Sequence, residues 1–165
     1  MPSIPSADTL LAKKHFNAGL NAIKKNNLIE AESQLAQAIS KDETQADYWV
    51  KLGLVWAKMN RYGESIEANT MALALNPSSA DALHNLGICH IKLGDEQTGL
   101  SYFQQSYRLE PNNTLAEQLA DIFYAQKDFK AAGYYLLQIY MSEKGTTKET
   151  TLHKLSTALY HNGDL

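Results

Sequence analysis

Two stretches of the chain, Ala46 to Ser79 and Ala80 to Asn113, repeat one order of large, small and polar positions at an offset of 34 residues. Counted from Ala46, the first has Trp49 at position 4, Leu52 and Gly53 at 7 and 8, Trp56 at 11, Ala72 at 27 and Pro77 at 32. The second has Leu83, Leu86, Gly87, His90, Ser106 and Pro111 there. A period of that length is the mark of a helical repeat. Upstream, Ala12 to Gln45 keeps the phase in a weaker form, with His15, Ala18, Gly19 and Ala22 in one helix. Leu28, Ala31, Leu35, Ala38 and Ile39 form the apolar face of the next, and Asn26-Asn27 makes the turn between them. Downstream, a copy aligned from Asn113 to Thr146 puts Leu119, Ala120, Phe123, Phe129, Ala132 and Leu136 on the large and small positions. After a turn at Gly145-Thr146-Thr147, Leu152, Leu155 and Leu159 stripe one more helix, which ends at Gly163-Asp164-Leu165.

The pattern predicts an all-α chain of nine antiparallel helices, four pairs plus one. Residues 1–11 are a lead-in and the start of the first helix; the repeats are 12–45, 46–79, 80–112 and 113–146; and 147–165 is a cap or the first half of a fifth repeat, all in one domain. The Gly-Asp-Leu ending favours an interrupted repeat over a cap. Gly53 and Gly87 present no Cβ, so a partner helix can pack close, and Ala72 and Ser106 serve likewise. Pro77 and Pro111 stand where a helix has to stop. Asp8, Ser79 and Asn113 are the expected helix caps.

The order large residue, Leu-Gly, aromatic, small residue and closing Pro resembles the tetratricopeptide repeat. That resemblance implies a right-handed solenoid of antiparallel helix pairs, the first helix of each pair lining a concave face. It also implies that positions 2, 5, 9, 12 and 13 form most of that face. Position 9 here is Leu20, Leu54 and Ile88; position 12 is Ile23, Ala57, Ile91 and Tyr124; position 13 is Lys24, Lys58 and Lys92; position 2 is Lys13, Asp47 and Asp81. An apolar floor with a lysine edge suits an amphipathic or extended peptide with acidic residues. The same lysines also suit helix carboxyl ends, where a cation complements the dipole.

At position 6, Asn17 and Asn85 flank Lys51, with Gln118 and Lys154 further on. The run His84-Asn85-Leu86-Gly87 resembles repeats of the O-linked N-acetylglucosamine transferase type, in which asparagines at this position bond the backbone of an extended peptide. An amide both donates and accepts, so it matches a peptide unit without reading its side chain. Lys51, Gln118 and Lys154 interrupt that ladder. In the chaperone-binding subgroup a carboxylate clamp of Lys, Asn, Asn, Lys and Arg would fall on Phe16, Leu20, Lys51, Asp81 and Asn85. None matches by type, and Asp81 repels a carboxylate, so binding of heat-shock chaperone tails is not expected.

Composition narrows the function further. With 44% hydrophobic residues in 165, the chain can bury a sizeable core, and a formal charge of −3 gives no general pull on nucleic acid or anionic lipid. The single Cys89 excludes an internal disulfide framework, fits a reducing compartment and is expected to be a buried structural thiol. No apolar run approaches the roughly 18 residues of a membrane span, and Met1 to Leu11 lacks the make-up of a secretory leader. A cytoplasmic location is therefore expected. His15, His84, His90, His153 and His161 form no dense ligand set, so no metal, cofactor or catalytic centre is expected in the chain as given. Tyr102, Tyr107, Tyr134, Tyr135 and Tyr140 fall on second helices, where packing is the first expectation and a convex aromatic patch the second.

The expected function is a non-catalytic protein-interaction module that holds a peptide or helix of a partner, as an adaptor, scaffold or chaperone does. Its groove residues are Asn17, Leu20, Lys24, Lys51, Leu54, Lys58, Asn85, Ile88, Lys92 and Tyr124. The alternative is the amino-terminal recognition region of a larger enzyme such as a glycosyltransferase. The partner is expected to be a protein or peptide, acidic or amphipathic; neither nucleic acid nor membrane is expected, and the open carboxyl-terminal end allows a homodimer.

Overall fold

The structure, a computed structural model, describes residues 6–143 and 148–163. Among them are nine α-helices and no strand: α1 (Ala7–Lys24), α2 (Leu28–Lys41), α3 (Ala46–Lys58), α4 (Tyr62–Leu75), α5 (Ala80–Lys92), α6 (Glu96–Leu109), α7 (Asn113–Ala125), α8 (Phe129–Glu143) and α9 (Glu149–Asn162). The all-α class and the helix order are those the repeat period predicts. The turn expected at Gly145-Thr146-Thr147 and the terminal Asp164-Leu165 lie outside the described residues.

Every turn from the first to the second helix of a pair uses the same device. Asn26, Asn60, Gly94 and Lys127 occupy one repeat position, and all four have positive φ, between 55° and 88°. A left-handed residue reverses the chain and lets the next N–H reach back five residues. Asn27 thus donates to the Ala22 carbonyl, Arg61 to Trp56, Asp95 to His90 and Asp128 to Phe123, at 2.8 to 2.9 Å. Glycine and asparagine take this conformation at little cost. Lys127 has no such excuse, and its sequence gives no hint of the turn.

Two of the three expected caps move. Ser6, not Asp8, caps α1: its hydroxyl accepts the N–H of Thr9 at 3.1 Å, and Asp8 sits inside the first turn, ion-paired to Lys41 at 3.8 Å. Asn112, not Asn113, caps α7 by accepting the N–H of Leu115 at 2.9 Å. Ser79 caps α5 as expected. The shifts arise because neighbouring residues that can both cap compete, and only the one in extended backbone has its side chain facing the free N–H groups.

The chain divides into two compact units, residues 1–102 and 103–165, with α6 contributing to both. In the first unit Leu35, Leu52 and Val55 are buried with Ala22 and Ala31, and Trp56 and Phe16 pack against them. The Phe16 and Tyr48 rings lie 4.5 Å apart between α1 and α3. Val50, Ala72 and Ala82 join α3, α4 and α5. In the second unit Phe123 stacks on Tyr135 at 5.9 Å, and Tyr107 meets the same ring edge-on at 5.3 Å. Leu119, Ala120, Ala132, Leu136 and Ile139 are buried around them. On α9, Thr151, Leu155 and Ala158 face inward.

Candidate functional site

The first unit places three first helices of successive pairs side by side, α1 against α3 and α3 against α5. On each helix, residues at spacings of 4, 3 and 4 fall within one narrow sector, because 3.6 residues make a turn. The three stripes are Lys13, Asn17, Leu20, Lys24; Asp47, Lys51, Leu54, Lys58; and Asp81, Asn85, Ile88, Lys92. Leu20, Leu54 and Ile88 are half-buried, while Lys24, Lys58 and Lys92 are exposed in the last turns of their helices. Among the described residues, these three lysines make no ion pair or side-chain hydrogen bond, and neither does exposed Asn17.

Two expected groove residues are engaged in the fold. Lys51 reaches from α3 to Asp81 on α5, with Nζ 2.8 Å from Oδ2, so the charge of each is answered by the other. Asn85 is only 5% exposed, and its amide donates to the Val50 carbonyl at 3.3 Å and to Asn69 Oδ1 at 3.0 Å. The reading of Asn85 as an amide offered to a ligand is therefore corrected: a side chain on the flank of the stripe turns inward when a buried acceptor awaits it. Tyr124 is half-buried on α7 in the second unit and packs edge-on against Phe129 at 5.4 Å.

Asn85 belongs to a buried polar network that sequence reasoning missed. Asn69 and Ser65 on α4 are both 0% exposed. Ser65 Oγ donates to the Gly53 carbonyl at 2.8 Å, Asn69 Nδ2 donates to the Ser65 carbonyl at 2.8 Å, and Cys89 Sγ lies 3.1 Å from Ser65 Oγ. Burial pushes the Cys89 thiol up, away from the reactive thiolate, as expected for a structural cysteine. Burying polar groups costs free energy unless each is bonded, and the mutual bonding here ties α3, α4 and α5 in a single register. The signal was available: Ser65 and Asn69 stand at repeat positions 20 and 24, which are Ala31 and Leu35 in the first repeat and Ala132 and Leu136 in the fourth.

A second cross-repeat cluster lies between α2 and the α3–α4 turn. Glu32 Oε1 accepts from Trp56 Nε1 at 2.8 Å and from Arg61 Nη1 at 2.7 Å, and the guanidinium lies over the Trp56 ring at 5.3 Å. The indole hydrogen bond, then Arg61, hold the Glu32 carboxyl below the usual glutamate range. No group of three or more His, Cys, Asp or Glu residues able to hold a metal ion occurs among the described residues. No described helix is long and apolar enough to cross a membrane.

Of the second-helix tyrosines, Tyr102 packs against His90 and Tyr107 against Tyr135. Tyr134 and Tyr140 are exposed on α8 beside Leu137 and Met141, and Tyr160 and Leu152 are exposed on α9.

Family profiles described as Tetratricopeptide repeat match residues 16–80 and 80–113, together more than half of the chain. The chain belongs to the tetratricopeptide-repeat family. This tetratricopeptide array is 30% identical over 112 residues to human Protein O-mannosyl-transferase TMTC3; the match covers 64% of this chain but only 12% of that protein's length. The solved MamA protein superposes with a TM-score of 0.74 at 15% identity, over 93% of this chain and 83% of the other. The first tetratricopeptide domain of Spaghetti (RPAP3), solved with the HSP90 peptide SRMEEVD, gives 0.67 at 18% identity, over 72% and 95%. At these identities the two structures share a fold, the all-α solenoid of helix pairs, with the tetratricopeptide chain described here. Such repeats are in general protein-interaction modules without chemistry of their own.

Proposed function

We propose that the solvent face of α1, α3 and α5 is the concave groove of a protein-binding module and holds a peptide or helix of a partner protein. The observation that carries this is the pair of parallel rows on that face. Leu20, Leu54 and Ile88 are half-exposed apolar residues, and one turn further along each helix stand Lys24, Lys58 and Lys92, charged and without an ion pair among the described residues. Apolar side chains left in contact with water gain by burial. Lysines without a carboxylate favour an acidic ligand and steer its approach. With Lys51 engaged by Asp81 and Asn85 buried, the free groove residues reduce to Asn17, the apolar row and the lysine row.

The test is affinity purification from the source cells with the chain and with a variant combining Lys24→Glu, Lys58→Glu and Lys92→Glu. A partner lost only from the variant supports the groove; a partner retained equally by both removes it. The soluble cytoplasmic setting expected for such an adaptor is checked by fractionating the same cells.

A second reading has its own support, since the chain spans about an eighth of the transferase relative it matches. In that reading the groove is the recognition region of a larger enzyme, with catalysis elsewhere in its chain. Sequencing the transcript on both sides of the region decides between the two. A homodimer through the exposed apolar face of α8 and α9 is also proposed, and sedimentation of the isolated chain tests it.

A further inference from the structure

The residues of the groove also bear on the conformation of what they bind, and this inference rests on the groove reading above. A ligand laid along the apolar and lysine rows crosses α1, α3 and α5 in turn. An extended ligand brings unpaired backbone N–H and C=O groups to the surface at every residue, and burying them without partners is costly. At position 6, where an amide would pair both groups of such a backbone, the floor offers little. Of the three position-6 side chains that could serve, Lys51 is held by Asp81 at 2.8 Å and Asn85 is buried and bonded to Val50 and Asn69. Only Asn17 remains free, at one end of the row. A helix satisfies its own backbone and needs only side-chain contacts.

The spacing agrees. Packed helices lie about 8–10 Å apart, and seven residues of an α-helix rise about 10.5 Å and return to nearly the same face. One residue in every seven of a helical ligand can therefore meet Leu20, Leu54 and Ile88 in succession. The lysine row lies four residues, about 6 Å, along each receptor helix from the apolar row. Acidic residues flanking each apolar contact on one side then fall opposite Lys24, Lys58 and Lys92. We infer that the groove takes an amphipathic α-helix with apolar residues at heptad spacing and a carboxylate beside each of them.

Two labelled synthetic peptides with equal numbers of leucines and glutamates test this by fluorescence anisotropy with the full chain. One is a helix-forming peptide with leucines every seven residues, each between two glutamates, on an alanine and glutamine background. The other carries its leucines and glutamates in a proline-punctuated extended sequence, with a leucine every third residue, about 9 Å in the polyproline geometry. The helical peptide is expected to bind about tenfold or more tighter than the extended one, and to lose about tenfold or more with Lys24→Glu, Lys58→Glu and Lys92→Glu combined. A Lys→Gln triple variant, which adds no repulsion at the helix ends, is expected to show a smaller loss in the same direction; circular dichroism checks that both variants keep their helicity. Tighter binding of the extended peptide, abolished by the lysine variant, overturns the helical occupant and leaves the groove standing. Binding of neither peptide, or binding that the lysine variants leave unchanged, overturns both.

Discussion

Gly53 offers the sharpest test of the packing argument. A Cβ built on it would lie 2.2 Å from Asn69 Nδ2 and 2.9 Å from Asn69 Cγ, far inside contact distance. The amide cannot simply move aside, because Asn69 is fully buried, donates to the Ser65 carbonyl and accepts from Asn85. Gly53→Ala therefore either forces α3 and α4 apart or breaks the network. Overpacking of this kind costs about 1–3 kcal/mol, and each buried polar group left without its partner costs about 1–3 kcal/mol. Against this, alanine is favoured over glycine inside a helix by about 1 kcal/mol. The net expectation is a loss of about 2 kcal/mol, or about 4–8 °C in melting temperature for a chain of this size. Gly63 supplies the control with opposite sign: it is in α4, and a Cβ there would meet nothing within 4 Å. Gly63→Ala should be neutral or stabilise by up to about 1 kcal/mol through helix propensity alone. The assay is urea unfolding followed by tryptophan fluorescence, since both tryptophans, Trp49 and Trp56, lie on α3 and report on the unit that holds the network. If Gly53→Ala unfolds at the same or a higher urea concentration than the parent chain, the packing argument and the repeat phase behind it are refuted.

The same assay separates the two asparagines at repeat position 6. Asn85→Ala strips a partner from buried Asn69 and Val50 and should cost about 1–3 kcal/mol, whereas exposed Asn17→Ala should stay within about 0.5 kcal/mol; equal effects would contradict the inward placement of Asn85. Glu32 titrates below the ordinary glutamate value of 4.5 because Trp56 and Arg61 bond its carboxylate. A lowered folded value means that its contribution is complete above pH 4.5 and lost as pH falls through that lowered value. Glu32→Gln should therefore be less stable than the parent at pH 7 and lose less on acidification, and parallel pH profiles would count against the cluster. Cys89, buried and with its thiol raised, should resist a disulfide reagent in buffer and react only as urea opens the first unit; rapid labelling of the folded chain would show that the thiol is accessible.

The sequence by itself determined the array of helix pairs. A period of 34 residues, with apolar positions at helical spacing and small residues where helices meet, admits little else, because each pair can bury its apolar face only against its neighbours. It also fixed the turn at Asn26-Asn27 and the cap at Ser79, since those residues carry their conformational preference locally. What it left open were choices among similar neighbours and choices set by distant partners. Ser6 over Asp8 and Asn112 over Asn113 depend on which residue lies in extended backbone. The left-handed turn at Lys127 is imposed by the two helices it joins and has no cause in lysine itself.

The tertiary structure alone decided which polar residues serve the fold and which stay exposed. Asn17 and Asn85 stand at the same repeat position and read alike in sequence. Asn17 is exposed, while Asn85 turns inward to Asn69, sixteen residues before it; at the same offset from Lys51 stands Leu35, which offers no acceptor, and Lys51 pairs with Asp81 instead. Lys51 and Lys58 lie on one stripe of one helix, yet only Lys51 has an aspartate of the next helix within reach. A side chain's role depends on what stands opposite it across the interface, and neither period nor composition records that.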